Sequence, residues 1–380
     1  MDAIIKVVMS DCPYGVRIVF RTNGKLVEPS KRGKLDMELI IKCLLFADDL
    51  VIVSDSKSHL EECLTKFDIT AGSMGLTVAI KKTKVMEVGP SDPKWKVLLN
   101  FQEVEKVEYF DYLGSRFDKE CDIGVEIQRR ITKAGGAFAS LYNPLWRQKS
   151  IPITTKMHVY NVIVIPCLLY VSETWATRSE HISRLESFQT KCLRNICGIS
   201  KVEHKRNLTV RELTSQPRIE SIITRNRLRW LGHCQRMDDK RMPKQVIRSW
   251  IEGSKRSRGR PCKRWLECIH EDLEFMELKD KDWQDSADNR NVWRSACIKA
   301  ADKLGKIRDT KEEKLYKEKK KQMNPLNKTH QCEACNMAFT SVGGLKRHIA
   351  WKHKTKIKCP KCSKELTSDT AMKQHVKLHK

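Results

Sequence analysis

Eight residues near the C-terminus have the types and spacing that hold metal ions. Cys332 and Cys335 form a Cys-x-x-Cys pair, twelve more residues lead to His348 and four more to His353. The pattern repeats with Cys359, Cys362, His375 and His379, the last gap one residue shorter. A knuckle offering two thiolates and a helix offering two imidazoles about one turn apart can meet one tetrahedral ion, so two structural zinc ions are the expected cofactors. Phe339 with Leu345, and Leu366 with Met372, take the spacings at which such a small ββα module places its core. Zinc supplies folding energy whether or not the module touches nucleic acid.

The other candidate chemistry is a pair of adjacent carboxylates. Asp48 and Asp49 lie between two apolar runs, Leu39 to Phe46 and Leu50 to Val53, where a hairpin is expected to turn. At a tight turn both can approach one site, and divalent cations relieve their mutual repulsion; two-metal phosphoryl transfer uses that arrangement. Plain turn chemistry is the competing explanation. Ser58-x-x-Glu61 reads as a capping box, and Leu60, Cys63, Leu64, Phe67, Ala71 and Met74 recur at helical spacing until Gly75. Tyr109 to Gly114 begins another short hairpin.

These segments in this order resemble the reverse transcriptase of non-LTR (LINE-type) retrotransposons. Phe46-Ala47-Asp48-Asp49 is similar to the catalytic hairpin of that family. Gly75-Leu76 with Lys81 to Met86 resembles the following palm motif, although Ala79 stands where the family commonly has Asn. Tyr112-Leu113-Gly114 resembles the primer-grip hairpin. Ser172 to Trp175, Arg227 to His233 and Arg258 to Trp265 resemble the thumb and post-polymerase region, so the likeness runs from about the first residue to Leu273. It implies an RNA-directed DNA polymerase in which Asp48 and Asp49 hold catalytic magnesium. It also implies a third metal-binding Asp on a strand well upstream, and only 47 residues precede Asp48. The expectation is a truncated polymerase that keeps nucleic-acid and zinc binding without turnover; a non-enzymatic nuclear zinc-finger protein is the alternative.

Charge supports a polyanionic partner. Lys and Arg total 73 against 47 Asp and Glu, a net charge of +26 over 380 residues. Between Lys201 and Arg264 there are 19 basic and 6 acidic residues, interleaved with Trp230 and Trp250 and followed by Trp265. A positive surface with aromatic platforms suits RNA and primer duplexes. Arg225, Arg227 and Arg229 alternate and cannot all share one helix face. Arg258, Arg260, Lys263 and Arg264 are further phosphate candidates; the Arg258-Gly259-Arg260-Pro261 core also fits a minor-groove hook, and the basic run fits nuclear import. If the two terminal modules enter a major groove, the reading positions are Ser341, Gly344 and Arg347, then Ser368, Ala371 and Gln374. Only Arg347 and Gln374 have bidentate potential, so sequence-tolerant binding of RNA and DNA is expected.

The fold class expected is α+β. A partial reverse-transcriptase palm (1–145) precedes a helical thumb-like region (146–198), a basic helical region (199–300), a charged linker (301–329) and two ββα zinc fingers (330–354 and 355–380). The longest apolar run, Val159 to Val171, is too short to cross a membrane and contains Asn161 and Pro166. No signal peptide is visible, so the fifteen cysteines are read as thiols or metal ligands, in a nuclear protein. Cys192, Cys197 and His204 lack a paired knuckle and read as scattered buried groups. Phosphate-loop, dinucleotide and serine-nucleophile patterns are not evident, and no small-molecule substrate beyond nucleotides is expected.

Overall fold

Ile4, Ile5 and Val8 fall on one face of the first helix, α1 (Asp2–Asp11), and that face sets the first core. They pack with Cys12 and with Cys63, Phe67 and Ala71 of α2 (Lys57–Ser73). In this computed structural model the residues described are 2–12, 14–22, 34–89, 95–200, 203–248, 250–251, 263–276, 282–322, 330–339, 341–353, 357–359, 362, 365–366 and 375. Residues 1–307 and 308–380 form two units.

In the first unit, β1 (Val16–Thr22) and β2 (Lys34–Ile41) pair antiparallel, from Val16 opposite Ile41 to Thr22 opposite Lys34. β3 (Cys43–Phe46) and β4 (Asp49–Ile52) make the next hairpin. α2 follows, capped by Ser56, whose hydroxyl accepts the His59 amide at 3.3 Å. The cap thus lies two residues before the expected Ser58, and Glu61 is used elsewhere: its carboxylate accepts the Leu98 amide at 3.0 Å. Met74, expected on the buried face, is 51% exposed because the helix has already ended.

Short strands come next. β5 (Lys84–Val85) pairs in parallel with β8 (Glu105–Lys106), and β6 (Leu98–Leu99) with β7 (Gln102–Glu103), around a small core of Val85, Val97, Leu99 and Val104. β9 (Tyr109–Tyr112) and β10 (Ser115–Asp118) form a hairpin that leads into α3 (Ile123–Ser140).

The helical core begins with α3, which buries Ile127, Ala134 and Phe138. Wide π-type turns at Tyr142–Trp146 and Tyr160–Val164 interrupt the helical path next to Pro144 and Pro166, which have no amide hydrogen to close a regular turn. Between them runs α4 (Ile153–Val159), followed by α5 (Ile165–Leu168). α6 (Ser179–Cys197) ends at Gly198, whose φ of 66° is the left-handed form that glycine adopts freely. α7 (Asn207–Thr214) and α8 (Ile219–Gln235) complete this core.

α8 also faces a second core, built with α9 (Met242–Arg248), α10 (Trp265–Met276), α11 (Asp282–Asp288) and α12 (Arg290–Gln322). The strand β11 (Trp250–Ile251) lies between α9 and α10 in sequence and pairs with β1, Phe20 opposite Ile251. α12 passes without interruption through position 300, where the sequence reading placed a change from basic region to linker.

The second unit holds β12 (His330–Gln331), β13 (Ala338–Phe339) and α13 (Val342–Lys352), a ββα unit, then the paired strands β14 (Ile357–Lys358) and β15 (Glu365–Leu366). Among the described residues no helix is long and apolar enough to cross a membrane.

One contact decides how closely α8 and α12 approach. A Cβ on Gly232 would sit 2.1 Å from Trp293 Nε1, and that same nitrogen donates to the Leu228 carbonyl at 2.8 Å. Gly232→Ala gains about 1 kcal/mol in helix propensity, but it drives a methyl into a ring whose hydrogen bond and burial hold it in place. Overpacking costs about 1–3 kcal/mol, so after the propensity gain we expect a net loss of up to about 2 kcal/mol, read as a lower melting temperature in thermal denaturation; a raised melting temperature would show that Trp293 moves freely.

Candidate nucleic-acid interface and metal sites

The carboxylate pair sits at the tip of the β3–β4 hairpin. Ala47 and Asp48 are the two turn residues, with Ala47 at φ 53°, while Asp49 opens β4 opposite Phe46. The expectation that both Asp occupy the turn is therefore corrected by one position: two residues suffice to close this hairpin. Cys43, Leu45, Leu50 and Ile52 anchor the strands on the first core, which leaves Asp48 and Asp49 exposed at the free end. Partial burial raises the Tyr112 phenol above its usual range, and the nearby charges of Asp49 and Cys43 raise it further. The tips of the two hairpins, β3–β4 and β9–β10, thus lie within electrostatic reach of each other.

The β9–β10 turn is held by a clamp that sequence reading missed. Leu113 and Gly114 form the turn, at φ 48° and 78°. Tyr170 Oη donates to the Leu113 carbonyl at 3.0 Å; Arg129 Nη1 donates to the Gly114 carbonyl at 2.8 Å, and Arg130 donates to the same oxygen. The Arg130 guanidinium lies 4.5 Å from the Tyr170 ring centre. Glu126, only 1% exposed, accepts the Arg116 amide at 2.9 Å and pairs with Arg130. Asp111 is held below the usual carboxylate range, chiefly by its hydrogen bond to Arg116 and then by the charge of Arg129. The signal that was present, Glu126 and Arg130 one turn apart on a helix, is too common to single out.

Three segments distant in sequence converge around α8. Arg227 is 4% exposed; its Nε donates to Asp272 Oδ2 at 2.7 Å and its Nη2 to Oδ1 at 3.0 Å, while Nη1 donates to Thr177 Oγ1 at 2.9 Å. Asn226 donates to Ser172 Oγ at 3.0 Å, and Trp265 Nε1 to the Glu173 carbonyl at 2.7 Å. The Ser172–Trp175, Arg227–His233 and Trp265 motifs therefore meet in one place. This corrects the expectation that Arg227 contacts nucleic acid: its charge is already neutralised inside the protein. Trp230 and Trp265 likewise pack against the second core instead of forming open platforms.

The other expected contacts lie elsewhere. Arg225 is half-buried and Arg229 exposed. Lys263 pairs with Glu271 at 2.6 Å, and Arg264 is exposed. Arg347 is exposed on α13, with Nε on the Gly343 carbonyl at 3.3 Å, and Ser341 spends its hydroxyl capping that helix on the Gly344 amide at 3.1 Å. Arg258, Arg260, Gln374 and His379 lie outside the described residues. Cys192 is buried, which pushes its thiol up to about 12, and among the described residues it joins no metal-capable group with Cys197 and His204.

The Cys/His ligands do come together. The side-chain ligand atoms of Cys332, Cys335, His348 and His353 all lie within 4.8 Å of one another, and those of Cys359, Cys362 and His375 do the same. Cys335 Sγ is 3.1 Å from His348 Nε2, which is 3.2 Å from His353 Nε2; Cys362 Sγ is 3.0 Å from His375 Nε2. Zinc bonds of about 2.0–2.3 Å in a tetrahedron need ligand separations of this order. The left-handed Asn336, at φ 55°, turns the knuckle, and the Cys332 amide donates to the Met337 carbonyl at 2.9 Å. Phe339 packs beside His348 at 4.7 Å between ring centres. Both clusters fit zinc.

The segment that holds both hairpins is similar to known proteins. Residues 23–117 match the family model for reverse transcriptase, RNA-dependent DNA polymerase. Over 267 residues the chain is also 25% identical to a transposon-derived protein of Caenorhabditis elegans, covering 66% of this chain and 92% of that protein. No solved structure matches.

Because the four ligands of the first cluster converge and only a small apolar group such as Phe339 packs beside them, removing zinc with a chelator should unfold the ββα unit at 330–353 while the helical cores persist. The check is loss of amide-exchange protection in α13 with retained protection in α6 and α8. Cys335→Ser should weaken metal affinity and reproduce the effect.

Proposed function

We propose that this chain is the part of a LINE-type retroelement reverse transcriptase that runs from the catalytic hairpin through a thumb-like helical region and a basic post-polymerase region to two zinc fingers. Its role is to hold RNA and DNA in the nucleus, largely without regard to sequence. The observation that carries this reading is the placement of Asp48 and Asp49 at an exposed hairpin tip beside the β9–β10 hairpin, inside the segment that matches the reverse-transcriptase family. Magnesium, where bound, would supply charge stabilisation to phosphoryl transfer. The protein's own part is to hold the two carboxylates at the end of a short hairpin anchored by Leu45 and Leu50, and to fix the neighbouring turn with Tyr170, Arg129 and Arg130.

A second reading has one observation in its favour. Among the described residues, Asp48 and Asp49 join no third Asp, Glu, His or Cys in a metal-capable group. A two-metal site needs more carboxylates than that. On this reading the protein is a non-enzymatic nuclear zinc-finger protein that binds DNA or RNA and keeps the hairpin as scaffold.

Primer extension separates the two. The 380-residue chain should bind an RNA template–DNA primer duplex with a steep dependence on salt, and with nearly equal affinity for scrambled sequences. It should not extend the primer. Template-dependent extension with magnesium that disappears in Asp48→Asn would assign turnover to this chain; indifference to nucleic acid at low salt would remove both readings.

A further inference from the structure

Of the three alternating arginines on α8, one is consumed internally and two are not. Arg225 and Arg229 lie one helical turn apart, about 6 Å along the axis. Among the described residues neither makes a hydrogen bond or an ion pair. Arg225 Nε is buried with no partner, and so is Nε of Arg236, which lies further along α8 and donates through Nη1 to the Ala287 carbonyl. All three guanidinium groups act electrostatically on the same buried thiol, Cys297 of α12, which places them along the α8–α12 seam. The acid near enough to favour the Arg225 charge is Asp302, and it forms no hydrogen bond with it.

That arrangement is costly in the free protein. A half-buried cation is disfavoured by lost hydration and again by a like charge one turn away. For Arg225 both effects are present, burial first and Arg229 second, and together they lower its proton affinity. Three buried arginines elsewhere in this chain have carboxylate partners: Asp272 for Arg227, Glu126 for Arg130 and Glu186 for Arg218. Among the described residues, Arg225 and Arg229 have no carboxylate of that kind within hydrogen-bond reach.

We propose that Arg225 and Arg229, with Arg236 at the far end of the same stripe, form a clamp for the phosphodiester backbone of a nucleic-acid strand lying along α8. The Nε atoms of Arg225 and Arg236 are closed to solvent, so a phosphate would be met by the outer guanidinium nitrogens, which for Arg225 and Arg229 have no protein acceptor among the described residues; guanidinium groups suit phosphate by their fork geometry. The net charge of +26 favours a polyanion over a small acidic ligand. The clamp deepens the nucleic-acid reading above and rests on it. It also replaces Arg227 with Arg236 in the set of contacts.

The test uses the full zinc-loaded chain and a labelled single-stranded RNA, with affinity measured by fluorescence anisotropy across a salt series. Arg225→Met and Arg229→Gln should each flatten the slope of log affinity against log salt by about 0.7, and the double variant by about 1.4. Arg225→Met should also keep or raise the melting temperature, because it removes an unpaired buried charge; a packing arginine would lower it. Arg227→Met should lower the melting temperature and leave the slope of the folded fraction unchanged. A wild-type slope in the double variant, or a destabilised Arg225→Met, overturns the clamp while leaving nucleic-acid binding in place. Wild-type protein with no salt-dependent binding overturns the underlying reading instead. Stabilisation by inorganic phosphate alone, with the RNA slope unmoved by the substitutions, would reassign the seam to a small anion and also overturn the proposal.

Discussion

The buried pairing of Arg227 with Asp272 is the contact that ties α10 and the segment before α6 to α8. Two charges taken out of water lose several kcal/mol of hydration each, and their attraction offsets this only when geometry is good and the remaining donors are used. Here the fork is bidentate, Thr224 donates a further hydrogen bond to the carboxylate at 2.8 Å, and Thr177 accepts the outer guanidinium nitrogen. The net gain over an apolar pair is small; the consequence lies in uniqueness. α10 can dock on α8 in few other ways without stranding a charge, and the segment at residues 172–177 is fixed by the same atoms.

The β9–β10 turn applies the same logic at a different depth. Glu126 is buried and satisfied by a backbone amide and two arginines, so the hairpin is tied to the helical core by groups that lose their partners together. Both networks join elements far apart in the chain. Among the described residues neither network reaches the exposed Asp48–Asp49 tip, while the strands behind it are anchored by apolar side chains.

How much of this was legible in the sequence depended on distance along the chain. The Cys/His clusters were readable because their geometry is local: a knuckle and one helix bring the ligands together. The β3–β4 hairpin was readable from two apolar runs around a short polar break. The cap of α2 was misplaced by two residues because Ser56 and Ser58 are chemically alike, and what distinguishes them is that Glu61 is drawn away to Leu98. Alternation showed that Arg225, Arg227 and Arg229 could not share a face, yet the buried one is chosen by Asp272, 45 positions away. Tyr170 gave no local signal, since its carbonyl partner Leu113 is 57 positions distant. Periodicity and spacing report on neighbours in sequence, and these contacts are not between neighbours.

The pairing of β11 with β1 bears on the order in which the protein is made. The outer edge of β1 receives its partner from residues 250–251, more than two hundred positions later. At ordinary ribosomal rates of about 5–20 residues per second, that edge waits roughly 10–50 seconds before the strand that covers it emerges. During that interval a nascent chain carries open backbone donors and acceptors next to an extended hairpin, a template for pairing with other chains.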